Sequence, residues 1–270
     1  MVKVFTMVKG EVDIVCDWVL YHGHLFGFNN LYIIDNLSLD GTYEALLQLK
    51  KTHAIHVFRL PDYKKKGEYM SSLIKRYGSN EFVFPVDIDE FIVHYDKSTH
   101  AIGCVDELIK QTLETLPKAT AYKMNYISTG PTGPDGFKRA TTECESGIYT
   151  DYGSVAKTFF HSSLFRGELD HGNHFNTPNY YLTKLCLVHY HCRNLEQMKK
   201  KIYNNVSGLG HNPFDLKYLK KVISSNPRGS HHINHQISVL EGTFALPIDT
   251  SSSKIDVISL TPIINKIKSL

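Results

Sequence analysis

The chain lacks the features that mark several common protein classes. Its five cysteines (Cys16, Cys104, Cys144, Cys186 and Cys192) are scattered, odd in number and without CxxC spacing. That excludes a disulfide framework and a thiolate metal site, and predicts reduced thiols in a reducing compartment. No apolar run approaches the roughly 20 residues of a membrane span. The apolar run at residues 1–8 is too short for the core of a secretion signal. Formal charge is only +3 over 270 residues, and no Lys/Arg block forms a basic stripe, which argues against a nucleic-acid partner. Internal repeats and a dividing linker are also missing. These absences predict a soluble, cytoplasmic protein, with ordinary globular proportions of 42% hydrophobic and 21% charged residues.

What is present is an alternation. Residues 4–8 read as a buried strand, followed by a helix whose apolar positions Ile14, Trp18, Tyr21 and Leu25 recur at helical spacing. Residues 31–34 form a second strand, 42–51 a helix begun by turn and cap residues, and 55–60 a third strand. A basic loop at 64–67 opens a helix to about residue 77, and residues 82–88 form a fourth strand. Such β-α-β alternation predicts an α/β fold with a mostly parallel, Rossmann-like sheet flanked by helices. Ligands of these sheets bind beyond the carboxyl ends of the strands. Lys9, Glu11, Asp35, Asn36, Lys64, Lys65, Lys66, Asp87 and Asp89 all fall at those ends.

Further on, helices are expected at 105–116, from 195, and at 213–223, and strands at 121–127, 155–160 and 182–190. Residues 128–136 are the most loop-like segment, read as an acceptor contact or a lid. Asn194 with Gln197 fits a capping box. Residues after about 228 give weak signals.

The most informative stretch is Phe82-Val83-Phe84-Pro85-Val86-Asp87-Ile88-Asp89-Glu90-Phe91. Carboxylates set among apolar residues are costly without a positive partner. Two aspartates one residue apart at a strand end suit a hard divalent cation. A strand followed by a solvated acidic turn is the plainer alternative.

Four segments, taken together, resemble a known family. Lys9-Gly10-Glu11 with Asp17-Trp18-Val19-Leu20-Tyr21-His22 and Phe26-Gly27-Phe28 is similar to its K-N-E…E-W-L-x-Y-H opening. Asp35-Asn36-Leu37-Ser38-Leu39-Asp40-Gly41-Thr42 resembles its D-N-x-S-x-D-G-T segment, Asp87-Ile88-Asp89-Glu90-Phe91 its D-x-D-E-F, and His189-Tyr190-His191 its closing H-Y. The family is the GT-A-fold, family-2-like glycosyltransferases, including virus-encoded members. Gly10 departs from the usual asparagine and Asp17 from the commoner glutamate.

The resemblance implies a nucleotide-sugar donor, UDP-linked by expectation, and transfer with inversion to a hydroxyl of a glycan or glycoprotein. It implies Mn²⁺ or Mg²⁺ at the Asp87/Asp89 pair, with Asp89 as direct ligand and Asp87 as a ribose or water-mediated contact. It also implies a late histidine as a further ligand, His189, with His191 on the same strand face as competitor. Asp35 resembles the residue that bonds the base, although a turn aspartate reads equally well. Met7, Val8 and Lys9 would flank the nucleoside, with Glu11 beside them. Lys65 and Lys66, before a helix N-terminus, and Arg193, at a helix start, suit a diphosphate, although a solvated basic loop fits the lysines too.

An inverting reaction needs a base. Asp170 between Gly167 and Gly172 is the expected one, with Glu168 and His171 behind it. An acidic surface turn remains the alternative. Residues 1–228 are expected to form one catalytic domain, with a nucleotide half at 1–100 and an acceptor half at 101–228. Residues 229–270 would be an extension packed on it. Two rival functions keep the same acids: metal-dependent phosphoryl transfer or hydrolysis, and a non-catalytic nucleotide- or glycan-binding module.

Overall fold

The computed structural model describes residues 2–103, 106–129, 146–153, 156–170, 172–174, 177–227, 229–246 and 255–256. The first half alternates as expected: β1 (Val2–Val8), α1 (Val15–Phe26), β2 (Leu31–Asp35), α2 (Thr42–Thr52), β3 (His56–Arg59), α3 (Lys66–Tyr77) and β4 (Phe82–Pro85). These strands lie in the order β3-β2-β1-β4, and every pairing is parallel. β1 is central here, so its residues are buried on both faces and alternate between two apolar layers. Val4 and Val8 pack with Val15 and Trp18 of α1 and with Leu46 of α2. Phe5 and Met7 point the other way, towards Met70 and Ile74 of α3.

The second half contains β5 (Glu90–Asp96), β6 (Ala101–Gly103), α4 (Asp106–Glu114), β7 (Ala121–Thr129), β8 (Ser146–Thr150), β9 (Lys157–His161) and β10 (Tyr180–His189). The sheet continues through β4-β9-β7-β10-β5-β6. Only the β7–β10 pairing along this stretch is parallel, so a parallel half passes into a mixed one. β8 pairs with β7, and a short strand, β11 (Ile255–Asp256), with β8. The chain also forms α5 (Leu195–Gly208), α6 (Leu216–Ile223) and α7 (Ser230–Leu240), whose Val206, Leu219 and Ile233 share one buried cluster. No helix among the described residues is long and apolar enough to cross a membrane.

Among the boundaries that differ from expectation, one positions the site. The fourth strand stops at Pro85 instead of running to residue 88. The chain turns through 87–89, where Glu90 N–H donates to Asp87 O at 3.1 Å, and re-enters the sheet as β5. The turn is held by its own acids, because Asp87 N–H donates to Glu90 Oε2 at 2.7 Å. β5 pairs antiparallel with β10 in a register that sets Glu90 opposite His189. Tyr190 N–H donates to Asp89 O at 2.9 Å. Asp89 is thereby fixed beside the stretch containing His189 and His191.

Candidate active site

Beyond the ends of β1 and β4 lies a cavity of about 230 Å³. Among the expected residues, Met7, Lys9, Glu11, Lys66, Asp87, Asp89, His189 and His191 line it. Tyr63, Ile88, Lys201, Asn204, Asn205 and His232 complete the wall. Side chains from widely separated segments thus meet at the strand ends, where an α/β sheet binds its ligands.

Asp89 has a nearly buried side chain, 4% exposed. Its Oδ2 is paired with Lys201 Nζ and lies 3.5 Å from His189 Nε2. Asp89, His189 and His191 each offer a ligand atom, and these atoms lie within 4.8 Å of one another. Burial alone would raise the Asp89 carboxyl, but Lys201 and His189 more than offset it and hold it well below the usual range. The Lys201 ammonium, followed by burial, pushes His191 well below the ordinary imidazole value. A neutral imidazole can donate its lone pair to a metal.

Asp87 is not part of that trio. Its Oδ1 accepts from Lys66 Nζ at 2.7 Å and Asn173 Nδ2 at 2.9 Å, and its Oδ2 from Lys157 Nζ at 2.8 Å. Burial would raise this carboxyl, yet Lys157 and Lys66 hold it far below the usual range. Lys157, itself 2% exposed, also pairs with Glu90 Oε1 at 3.1 Å. A buried ammonium between two carboxylates stays charged, because their attraction exceeds the cost of burial.

Several expected residues stand behind the wall instead of lining it. Arg193, 1% exposed, gives its guanidinium to Glu11, to Asp13 at 2.8 Å and to Tyr190 O at 2.9 Å. It clamps the loop after β1 to the stretch after β10. Asp35 is buried at the end of β2, where Ser38 N–H donates to it and Arg59 Nε lies 3.4 Å away. Val8 is buried with the core. Lys65 is exposed at the start of α3.

Asp170 caps a turn. Its Oδ1 accepts His174 N–H at 2.8 Å, and Oδ2 lies 3.3 Å from His174 Nδ1. Burial would raise its carboxyl, but these contacts bring it down to about 2. The same turn delivers Asn173 to Asp87, and Gly172 O accepts from Lys157 Nζ at 3.0 Å. Glu168 is exposed. His171, and residues 130–136 of the expected lid, lie outside the described residues.

Lys157, Lys201, Asn173 and His232 carry no motif that would single them out in the sequence. Lys157 sits in an apolar strand segment, where a lone lysine is a signal of a buried acid. Lys201 ends the run Lys199-Lys200-Lys201, which looks like a solvated helix face. Its distinguishing mark is spacing, four residues after the buried Gln197 and three or four before Asn204 and Asn205.

Together these features define an α/β protein with a cleft at its parallel strand ends, built from acids, imidazoles and buried lysines. No family model and no curated protein sequence matches the chain. Among solved structures, residues 1–349 of Staphylococcus aureus TarS in complex with UDP-GlcNAc align at 12% identity and a TM-score of 0.45, over 90% of this chain and 72% of that one. The same fragment with UDP aligns at 10% identity and 0.44, over 89% and 70%. HddC from Yersinia pseudotuberculosis aligns at 10% and 0.37, over 70% and 93%. Likenesses of this size do not assign the chain a function.

Proposed function

We propose that the chain is a GT-A-type glycosyltransferase that moves a sugar from a nucleotide-sugar donor, a UDP-sugar, to a hydroxyl of a glycan or glycoprotein, with inversion. The observation that carries this reading is the convergence of Asp89, His189 and His191 with Lys66 and Asp87 in one cavity at the strand ends. Those positions belong to the D-x-D-E-F and H-Y segments of the family resemblance, apart from Lys66.

One carboxylate and two imidazoles suit Mn²⁺, which tolerates imidazole nitrogen beside oxygen, better than Mg²⁺, which holds more strictly to oxygen ligands. Asp89, His189 and His191 would hold it. It would supply a Lewis acid for the charge that develops on the leaving diphosphate. Met7 and Lys9 at the end of β1 would flank the nucleoside. Lys66, in the first turn of α3, points a positive charge and a helix N-terminus into the same space. Asp87, oriented by two lysines and Asn173, would accept from ribose hydroxyls.

Asp170 is assigned as the base because its turn is docked on Asp87 through Asn173. A carboxyl held down to about 2 accepts a proton poorly, so the assignment requires acceptor binding to displace His174 from it. Asp170→Asn should then lower kcat by about 10²-fold or more with donor binding unchanged; an unchanged kcat removes Asp170 from the chemistry. Two-metal phosphoryl transfer is disfavoured, because among the described residues the cleft gathers one cluster of ligand atoms, Asp89, His189 and His191, with a single carboxylate in it.

Hydrolysis of a nucleotide-sugar panel with Mn²⁺, read as released nucleotide, tests the reading. One donor should be turned over, and Asp89→Ala should abolish it. Turnover of simple phosphoesters without any nucleotide-sugar would overturn the assignment.

A further inference from the structure

Lys201 is a charged residue of the cleft that the proposed chemistry leaves unused. It sits on the face of α5 that lines the cavity, with a side chain only 16% exposed. Its Nζ is paired with Asp89 Oδ2 and lies 3.1 Å from His191 Nδ1. The same Oδ2 lies 3.5 Å from His189 Nε2. An ammonium is three donors with no acceptor, so it holds His191 through the Nδ1 lone pair. A metal on that nitrogen would need the same lone pair. An ion held by this carboxylate oxygen and this imidazole nitrogen would take the place the ammonium occupies between them. Lysine and ion are therefore alternatives at Asp89 and His191.

We propose that Lys201 is a tethered cation that competes with the divalent ion for Asp89 and His191, and that ion entry moves its ammonium into the donor cavity. The proposal rests on the reading of Asp89, His189 and His191 as metal ligands. It gives Lys201 two jobs. With the ion away, it keeps a buried carboxylate paired, where an unpartnered acid would be strongly destabilising. With the ion bound, its flexible stem stays anchored on α5 and its charge remains in the cavity where a diphosphate would lie. Ion binding at this site is then weaker than its ligands alone would make it.

Direct Mn²⁺ titration of the full chain without donor tests this, comparing the native protein with Lys201→Met and Lys201→Arg. Lys201→Met should bind Mn²⁺ at least about tenfold more tightly, and Lys201→Arg should stay close to the native affinity. Without metal, Lys201→Met should melt at a lower temperature than the native protein, and Mn²⁺ should raise its Tm by the larger amount. Equal or weaker Mn²⁺ binding by Lys201→Met overturns the competition while leaving the metal site standing. Should neither protein bind Mn²⁺, the metal ligands themselves are misassigned and the competition falls with them. If Lys201→Met does not fold, Lys201→Gln decides by the same two readouts.

Discussion

Buried lysines hold the cleft together residue by residue. Lys157 neutralises Asp87 and Glu90 from inside the sheet. Removing one partner of a buried ion pair costs about 3–5 kcal/mol because the other charges are left uncompensated. Lys157→Met should therefore lower unfolding free energy by roughly that amount in urea titrations. A loss below about 1 kcal/mol would mean the pair is solvated.

His22 gives a pH dependence away from the cleft. Its Nδ1 lies 3.0 Å from Trp18 O, and its Nε2 accepts Ile92 N–H at 3.4 Å. Only the neutral ring carrying its hydrogen on Nδ1 satisfies both contacts, since protonation would set an N–H against an N–H. Burial accordingly lowers His22 to about 3 from its ordinary 6.5. The folded pKa is the lower one, so this contribution is complete above pH 6.5 and is lost as pH falls towards 3. The limiting slope is about 1.4 kcal/mol per pH unit. Stability measured between about pH 7 and pH 4 should show it, and His22→Gln should flatten it. A native protein with no acid slope in excess of the variant's would count against this account.

Gly10 shows what a residue type can and cannot say. Its φ of +69° is the left-handed conformation that glycine adopts freely and asparagine tolerates best. The glycine in place of the asparagine of the motif it resembles is therefore conservative in backbone terms. A residue type alone could suggest a turn there. It could not reveal that a Cβ would lie 2.9 Å from Lys200 Cε.

Among the elements, α1 to α6 and the parallel strands are legible in the sequence because hydrophobic period and burial agree, as in β1 and α1. β5 is not, because Glu90 and His94 interrupt its apolar residues. α7 is hidden because its histidines and asparagine dilute the apolar face to Ile233, Ile237 and Leu240. Asp89, His189 and His191 are legible as motif residues, whereas Lys157 and Lys201 reach the site only through sheet pairing and helix docking. The capping box expected at α5 is half present. Asn194 Oδ1 does accept Gln197 N–H at 2.9 Å, but the glutamine side chain reaches back to Arg193 N–H at 3.4 Å instead of to Asn194.

Packing between elements also locates a sensitive glycine. A Cβ on Gly67 would lie 2.1 Å from Leu169 O, and Leu169 N–H donates to Ser71 Oγ at 2.9 Å. The first turn of α3 is thus pressed against the backbone that leads to Asp170 and Asn173. Gly67→Ala should cost about 1–3 kcal/mol and weaken donor binding by moving Asn173 off Asp87. Calorimetric titration with the donor nucleotide checks the second half; unchanged affinity alongside the stability loss would confine the effect to packing.

Across the whole molecule, the parallel and mixed halves are joined by the main-chain pairing of β4 with β9 and by the apolar core they share. The single tryptophan, Trp18, reports on that junction, because it sits in α1 and donates from Nε1 to Glu90 O at 3.1 Å. Its fluorescence and far-ultraviolet circular dichroism should therefore give one denaturation midpoint. Two separated midpoints would show that the halves unfold independently.

The short link from Pro85 to Glu90 has a consequence for how this protein can vary. It leaves one strand and enters another whose partner is already fixed, so its residue count determines which side chain meets the histidines. One inserted residue would carry Asp89 away from His189 or force β5 to slip by a place, turning its inward side chains outward. Length changes should be tolerated at the exposed turn around residues 97–100 and selected against here, which makes this link far less extensible than that turn.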